Sequence, residues 1–271
     1  MLNLENPAIL SAMAGINDGS FCARAMKSGA GMVTLGGFNF DKQTLDAARF
    51  STTRGRSEFI IDLKELTEYI ESQISIAREG KALVSINARF ATETGLLLAA
   101  KITQDADVDA LELNAHCRQK EFLALKTGQA LLMNQKRLCH WISILREHTD
   151  IPLIVKIRAN IVDEISLSKK MVAAGAGVIH VDTMKSGYPF ADLDVIKRIS
   201  DSVDIFLIGN NSVIDVNSAI QMLNAGADAF SIARAAINKP EMVGKIGKAI
   251  LKKHDDFPFF KALRSKTNCR Q

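Results

Sequence analysis

Lys156 and Arg158 stand two positions apart in the run Ile154-Val155-Lys156-Ile157-Arg158. In an extended chain, alternation sends both side chains to one side, opposite Val155 and Ile157. A cation held there can stabilise negative charge developing on a ring carbonyl, as fixed charges do elsewhere. The competing reading is an ordinary salt-bridged pair at a strand end. A second set is formed by Gly209-Asn210-Asn211 and Ala233-Arg234. Turns of this kind bind phosphate through backbone N–H groups, and an arginine adds a bidentate contact. Taken singly, each is a plain turn or a surface arginine; together they favour phosphate. The third candidate is Cys117, in Glu112-Leu113-Asn114-Ala115-His116-Cys117-Arg118. A thiol in a loop can donate a proton or attack, given suitable surroundings, although a lone cysteine is more often inert. Cys22, Cys139 and Cys269 read as structural or exposed, and no metal-ligand spacing emerges.

These residues need a frame, and the chain supplies one by alternating short β-type apolar runs with longer amphipathic segments. Eight strand candidates emerge: Ala8 to Met13, Gly31 to Leu35, Ala82 to Asn87, Ala110 to Asn114, Leu153 to Arg158, Val178 to Asp182, Ile205 to Gly209 and Ala229 to Ile232. Near-continuous apolar runs such as Ile205-Phe206-Leu207-Ile208 imply burial on both faces, as in a parallel sheet covered by helices. Ser28-Gly29-Ala30-Gly31, Ala174-Gly175-Ala176-Gly177 and Ala225-Gly226-Ala227-Asp228 recur before alternate strands, with Asp105-Ala106-Asp107 as a weaker fourth. A glycine there ends a helix in the left-handed conformation. The fold expected is a (β/α)₈ barrel of the α/β class, with 1–271 as one domain ending in a short tail. Gly36 to Arg56 reads as a barrel-top loop and Glu241 to Lys253 as the last helix. Sites in such barrels lie at strand C-terminal ends, where this chain has Asn87, Asn114, Lys156, Arg158, Asp182 and Asn210, with Cys117 and Arg234 just beyond. His180 falls inside a strand and reads as packed or paired.

Apolar residues make up 47% and charged residues 24%, the balance of a globular protein rather than a disordered one. A net charge of +4 suits an anionic ligand but falls short of a nucleic-acid footprint. With no CxxC pair, no secretory leader and no apolar run long enough to span a bilayer, the expectation is reduced thiols, no membrane and a cytoplasmic location.

From about Ala8 to about Pro240 the chain resembles the flavin-dependent tRNA-dihydrouridine synthases, relatives of dihydroorotate and dihydropyrimidine dehydrogenases. The resemblance rests on an ordered set: Ala12-Met13-Ala14-Gly15-Ile16-Asn17-Asp18, then Asn114 and Cys117 with Gly128-Gln129-Ala130-Leu131-Leu132, then Lys156-Ile157-Arg158, Gly209-Asn210-Asn211 and Ala233-Arg234. It implies FMN at the barrel mouth, with Ala12, Met13 and Asn87 near the ring system, Lys156 at its polar edge, and Gly209, Asn210, Ala233 and Arg234 at its phosphate. Cys117 is then the acid that protonates a uracil carbon, and Asn114 holds that ring. The chain departs from the pattern at Ala12 and Arg118, where the family has proline, at Asn211 and Ala233, where it has glycine, and at Asp182, which falls on the position expected for a flavin-contacting histidine.

The resemblance implies an FMN oxidoreductase working on the C5–C6 bond of a uracil-type ring, in tRNA or in a free pyrimidine such as dihydroorotate. The tail after Lys253 is too short for the helical tRNA-binding domain of those synthases, which favours the free pyrimidine. NAD(P)H or a redox protein is the expected electron donor, although no GxGxxG motif names one. Homo-oligomerisation stays open. The competing classes are a non-redox phosphate-binding barrel and a catalytically silent flavin binder.

Overall fold

The computed structural model describes Leu2–Arg78 and Ala82–Lys253. Eight parallel strands close on themselves in chain order: β1 (Ala8–Leu10), β2 (Met32–Asn39), β3 (Leu83–Arg89), β4 (Ala110–Ala115), β5 (Leu153–Arg158), β6 (Val178–Asp182), β7 (Phe206–Asn210) and β8 (Ala229–Ile232). The helices around them are α1 (Gly19–Lys27), α2 (Lys42–Thr52), α3 (Leu66–Ala77), α4 (Glu93–Asp105), α5 (Lys120–Ala124), α6 (Ala130–Met133), α7 (Gln135–His148), α8 (Glu164–Ala173), α9 (Leu193–Ser202), α10 (Val216–Asn224) and α11 (Met242–Lys253). The fold is the expected (β/α)₈ barrel. The tail beyond Lys253, with Cys269, lies outside the described residues. Among the described residues no helix is long and apolar enough to cross a membrane.

The recurring Gly-Ala turns do what their composition requires. Gly29, Gly175 and Gly226 have φ of +100°, +107° and +107°, and Asp107 takes the same place in the fourth copy at +50°. Each closes a paired hydrogen-bond motif, as in Gly29 N–H to the Met26 carbonyl and Ala30 N–H to that of Ala25. Four helices therefore stop at a fixed distance from strands β2, β4, β6 and β8.

Two boundaries differ from the sequence reading. β1 ends at Leu10, with the Ser11 N–H still donating to the Ile232 carbonyl at 2.9 Å, and the Met13 carbonyl then accepts from the N–H groups of Ile16 and Asn17 and turns the chain. The stretch read as a loop from Gly36 to Arg56 instead continues β2 to Asn39 and then forms α2. An irregularity in the ladder between Gly36 and Phe38 lets the strand go on, and the Asp41 side chain caps α2 by accepting from the Thr44 N–H at 2.8 Å.

Inside the barrel each strand contributes one residue to an apolar floor: Ile9, Met32, Leu83, Ala110, Ile154, Val178, Ile208 and Ala229, sealed below by Leu2 and Leu4. Two residues further along the same strands the interior becomes polar at every position: Ser11, Thr34, Ser85, Glu112, Lys156, His180, Asn210 and Ser231, all buried. The alternate residues, such as Leu111, Val155, Ile179 and Leu207, face the helices and form the main core.

Candidate functional site

The polar level is hydrogen-bonded in two short pairs and one long run. The Ser85 hydroxyl donates to Thr34 Oγ1 at 2.8 Å, and Lys156 Nζ donates to Ser11 Oγ at 2.5 Å. Asn114 Nδ2 donates to Asn87 Oδ1 at 2.9 Å, and Asn87 Nδ2 donates to Glu112 Oε1 at 2.7 Å. The other Glu112 oxygen lies 2.6 Å from His180 Nδ1, whose Nε2 is 2.7 Å from Ser231 Oγ. Asn210 Nδ2 closes the run on Ser231 Oγ at 2.7 Å.

Electrostatics set the protonation states. Burial pushes the Glu112 carboxyl up, but the Lys156 charge, His180 and the Asn87 amide outweigh it and hold the pKa at about 2. Burial and the Lys156 charge push His180 down, so the ring is neutral at pH 7. Its proton sits on Nδ1, facing a carboxylate that can only accept, and Nε2 accepts from the Ser231 hydroxyl. Lys156 is itself pushed down by burial and held up by Glu112 and Asp182. Its ammonium is buried with Ser11 as its one hydrogen-bond partner among the described residues, which leaves donor capacity for a ligand acceptor.

Above this level lies a second cluster. Asp182 accepts from Arg158 Nη2 at 2.9 Å and from Asn211 Nδ2 at 3.2 Å, and its Oδ2 is 3.4 Å from His116 Nε2. Burial, Lys156 and Arg158 push His116 well below its ordinary value, so its contact with Asp182 is one of a neutral ring. Asp182 thus gathers Arg158, His116 and Asn211 around itself. Arg158 Nε and His116 Nδ1 are buried without partners among the described residues.

Cys117 is half-buried beyond β4. Asn114 Oδ1 accepts from the backbone N–H groups of His116 and Cys117 at 3.2 and 3.0 Å, so Asn114 ties the loop to the network. Gly128 holds the other side with φ of +60°, where a Cβ would stand 2.5 Å from the Cys117 carbonyl oxygen. Behind the loop, Cys117 packs with Ala47 and Ala48 of α2 and with Phe122. A buried ion pair, Arg89 Nη2 to Glu58 Oε2 at 2.5 Å, pins the long connection after β2 to the end of β3, while Gln119 Nε2 donates to Glu58 Oε1 at 3.1 Å. The Arg89 guanidinium lies 4.4 Å from the centre of the Phe122 ring.

At the ends of β7 and β8 the backbone is open. Asn211 and Ser212 have φ of +97° and +54°. Among the described residues, the N–H groups of Asn211, Ser212, Val213, Ala233, Arg234 and Ala235 donate to nothing. Unpaired N–H groups at neighbouring strand ends are what an anionic phosphate needs. The structure divides the candidates for this end. Asn210 turns its side chain inward to Ser231. Gly209 faces the α10 helix, where a Cβ would meet Met222 Sδ at 2.3 Å. Arg234 is exposed, and Ala233, Ala12 and Met13 are half-buried. Asn87 spends its carbonyl oxygen and one amide hydrogen within the network.

The sequence reading passed over Glu112, Ser11 and Ser231, along with Glu58 and Arg89, and treated His180 as packed or paired. It is paired, at the centre of the network. Stepping two residues on from each apolar floor position would have found the first three and His180 together.

A (β/α)₈ barrel with a polar interior level, a buried under-satisfied lysine and open N–H groups after β7 and β8 is the frame of a barrel enzyme with its ligand site at the C-terminal face. The chain belongs to the dihydrouridine synthase (Dus) family, whose model matches residues 65–270. It is 38% identical over 237 residues to an uncharacterized protein of Methanocaldococcus jannaschii, covering 86% of this chain and 90% of that one. It is 25% identical over 263 residues to a probable tRNA-dihydrouridine synthase of Rhizobium leguminosarum, covering 94% of this chain and 76% of the relative. Over 198 residues it is 24% identical to the catalytic subunit of a dihydroorotate dehydrogenase B from Alkaliphilus metalliredigens, covering 64% of each chain. Members of the Dus family are flavin-dependent oxidoreductases, and an oxidoreductase is what this chain is.

Proposed function

We propose that this chain holds FMN at its barrel mouth and reduces the C5–C6 double bond of a uracil-type ring. The observation that carries the reading is a buried ammonium with spare donors, Lys156, in the same barrel interior that ends at two strands whose following N–H groups are unpaired. One cation for an electron-rich ring and one cradle for a phosphate are what a flavin mononucleotide requires. Lys156 and the second amide hydrogen of Asn87 face the ring, with Ala12 and Met13 beside it and Arg158 and Asp182 at its edge. The backbone at Gly209, Asn210 and Asn211 and at Ala233, together with the exposed Arg234 side chain, takes the phosphate.

A flavin bound here supplies the hydride half of the reduction. Cys117 supplies the proton half: its S–H bond breaks, a C–H bond forms at the ring carbon, and the sulfur is left as thiolate. Asn114 keeps the loop of Cys117 in place and has one amide hydrogen left for the substrate. NAD(P)H or a redox protein returns the electrons. The same membership makes uridine in tRNA the first substrate to try. A free pyrimidine is the second, favoured by the similarity to a dihydroorotate dehydrogenase subunit. We read residues 1–271 as a single FMN-binding barrel with a short tail.

The test is the visible spectrum of the purified protein and chromatography of what heat releases from it. A flavin spectrum with FMN released, and reoxidation of the reduced protein by tRNA lacking dihydrouridine or by a free uracil-type ring, is the expected outcome. A colourless protein that takes up no added FMN would overturn the reading in favour of a non-redox phosphate-binding barrel.

A further inference from the structure

Glu112 has 0% exposure and sits where two runs of hydrogen bonds meet. An ionised carboxylate only accepts, and this determines its neighbours one by one. Because Glu112 Oε1 takes Asn87 Nδ2 at 2.7 Å, Asn87 must turn its oxygen to Asn114, which gives Nδ2 at 2.9 Å. Asn114 is then left with its own oxygen facing the N–H groups of His116 and Cys117. On the other side Glu112 Oε2 accepts a hydrogen bond from the His180 Nδ1–H, so Nε2 must accept from Ser231. Beyond Ser231 the run is fixed independently, since Asn210 Nδ2 donates to the Ser231 carbonyl at 3.0 Å as well as to its Oγ at 2.7 Å.

We propose that Glu112 is the positioning residue of the site, the shared acceptor that sets the direction of the hydrogen bonds running through Asn87 and Asn114 to the Cys117 loop and through His180 to Ser231. Its effect on turnover rests on the functional reading above; its effect on geometry does not. Packing alone would make Glu112 replaceable by any isostere. Glu112→Gln tests this, because a carboxamide has one accepting and one donating end. If the donating end faces His180, the ring must move its proton to Nε2. If it faces Asn87, both asparagines must flip, and Asn114 then presents its amide hydrogens to the N–H groups of His116 and Cys117.

The measurement is ¹⁵N NMR of the histidine rings and of the His116 and Cys117 amides in flavin-free wild type and Glu112→Gln. The expected result is an Nδ1-protonated neutral His180 in wild type. In the variant, either the tautomer changes or the two amide signals shift, and ring reduction by flavin-loaded protein slows by on the order of a hundredfold. A variant whose His180 tautomer and loop amides match wild type would overturn the proposal. If the variant does not fold, wild type still decides: a cationic or Nε2-protonated His180 at neutral pH would overturn it. Failure of wild type to bind FMN would sink the functional reading alone, since the NMR comparison needs no flavin.

Discussion

The floor and the polar level of the barrel interior lie two residues apart on the same eight strands, yet they obey different rules. Below, Ile9, Met32, Ile154, Val178 and Ile208 fill space, and their free energy comes from apolar burial, which has no direction. Above, Ser11, Glu112, Lys156, His180 and Ser231 are just as buried, and each is tolerable only because a particular partner stands at hydrogen-bond distance. The floor can be replaced by shape, whereas the polar level can be replaced only by donor and acceptor pattern. Stability and function should therefore come apart when the two levels are disturbed separately.

The largest effect belongs on the functional side. Cys117→Ala removes a thiol from the mouth without touching either interior level, so flavin retention and melting temperature stay close to wild type. Ring reduction falls by about 10²- to 10⁴-fold, the range lost with a general acid. A single-turnover reoxidation rate equal to wild type would take Cys117 out of the chemistry. Ile154→Ala is the counterpart below. Ile154 is wholly buried in the floor, and its truncation should cost about 4 kcal/mol in urea unfolding, near the upper part of the range for such cavities. The folded fraction should keep its wild-type turnover. A variant that loses turnover per folded molecule would show that the two levels are coupled after all.

The same contrast explains what was legible in the sequence. All eight strands could be read because their outward and floor residues are apolar, and that pattern is local. The Gly29, Gly175 and Gly226 turns were legible for the same reason, since one residue type answers one backbone conformation. Helix α2 was missed because Lys42–Thr52 is mostly polar, and its use, backing Cys117 through Ala47 and Ala48, depends on a loop distant in sequence. At the site, Asn87, Asn114, Lys156, Asp182 and Asn210 were found because they interrupt apolar strands near their ends. Glu112 interrupts one too, but its meaning lies in Lys156 and His180 on the next two strands, which are distant in sequence and become its partners only when the barrel closes. Asp182 stood out as a departure from the family pattern, and only the fold shows that it assembles Arg158, His116 and Asn211.

Acid separates the levels without any substitution. Glu112 titrates at about 2 in the folded chain against an ordinary value of 4.5, so between those values the unfolded chain binds the extra proton and folding weakens as the pH falls. A shift of that size is worth about 3 kcal/mol, present in full above the unfolded value and lost on the way down. His116 and His180 are both pushed below 6.5 by burial and by the nearby Lys156 charge. The unfolded chain takes up their protons first, and the loss begins as the pH drops through that value. The floor contains nothing that titrates. Urea midpoints measured from about pH 7 down to about pH 3 should therefore fall in two stages in wild type, the second spanning the Glu112 window. Ile154→Ala should lie below wild type by a constant amount throughout, because its missing packing is blind to protons. A wild-type curve that stays flat to the lowest pH would mean that the polar level is not held together by charge, and a gap that widens in acid would mean that the floor supports the network rather than merely lying beneath it.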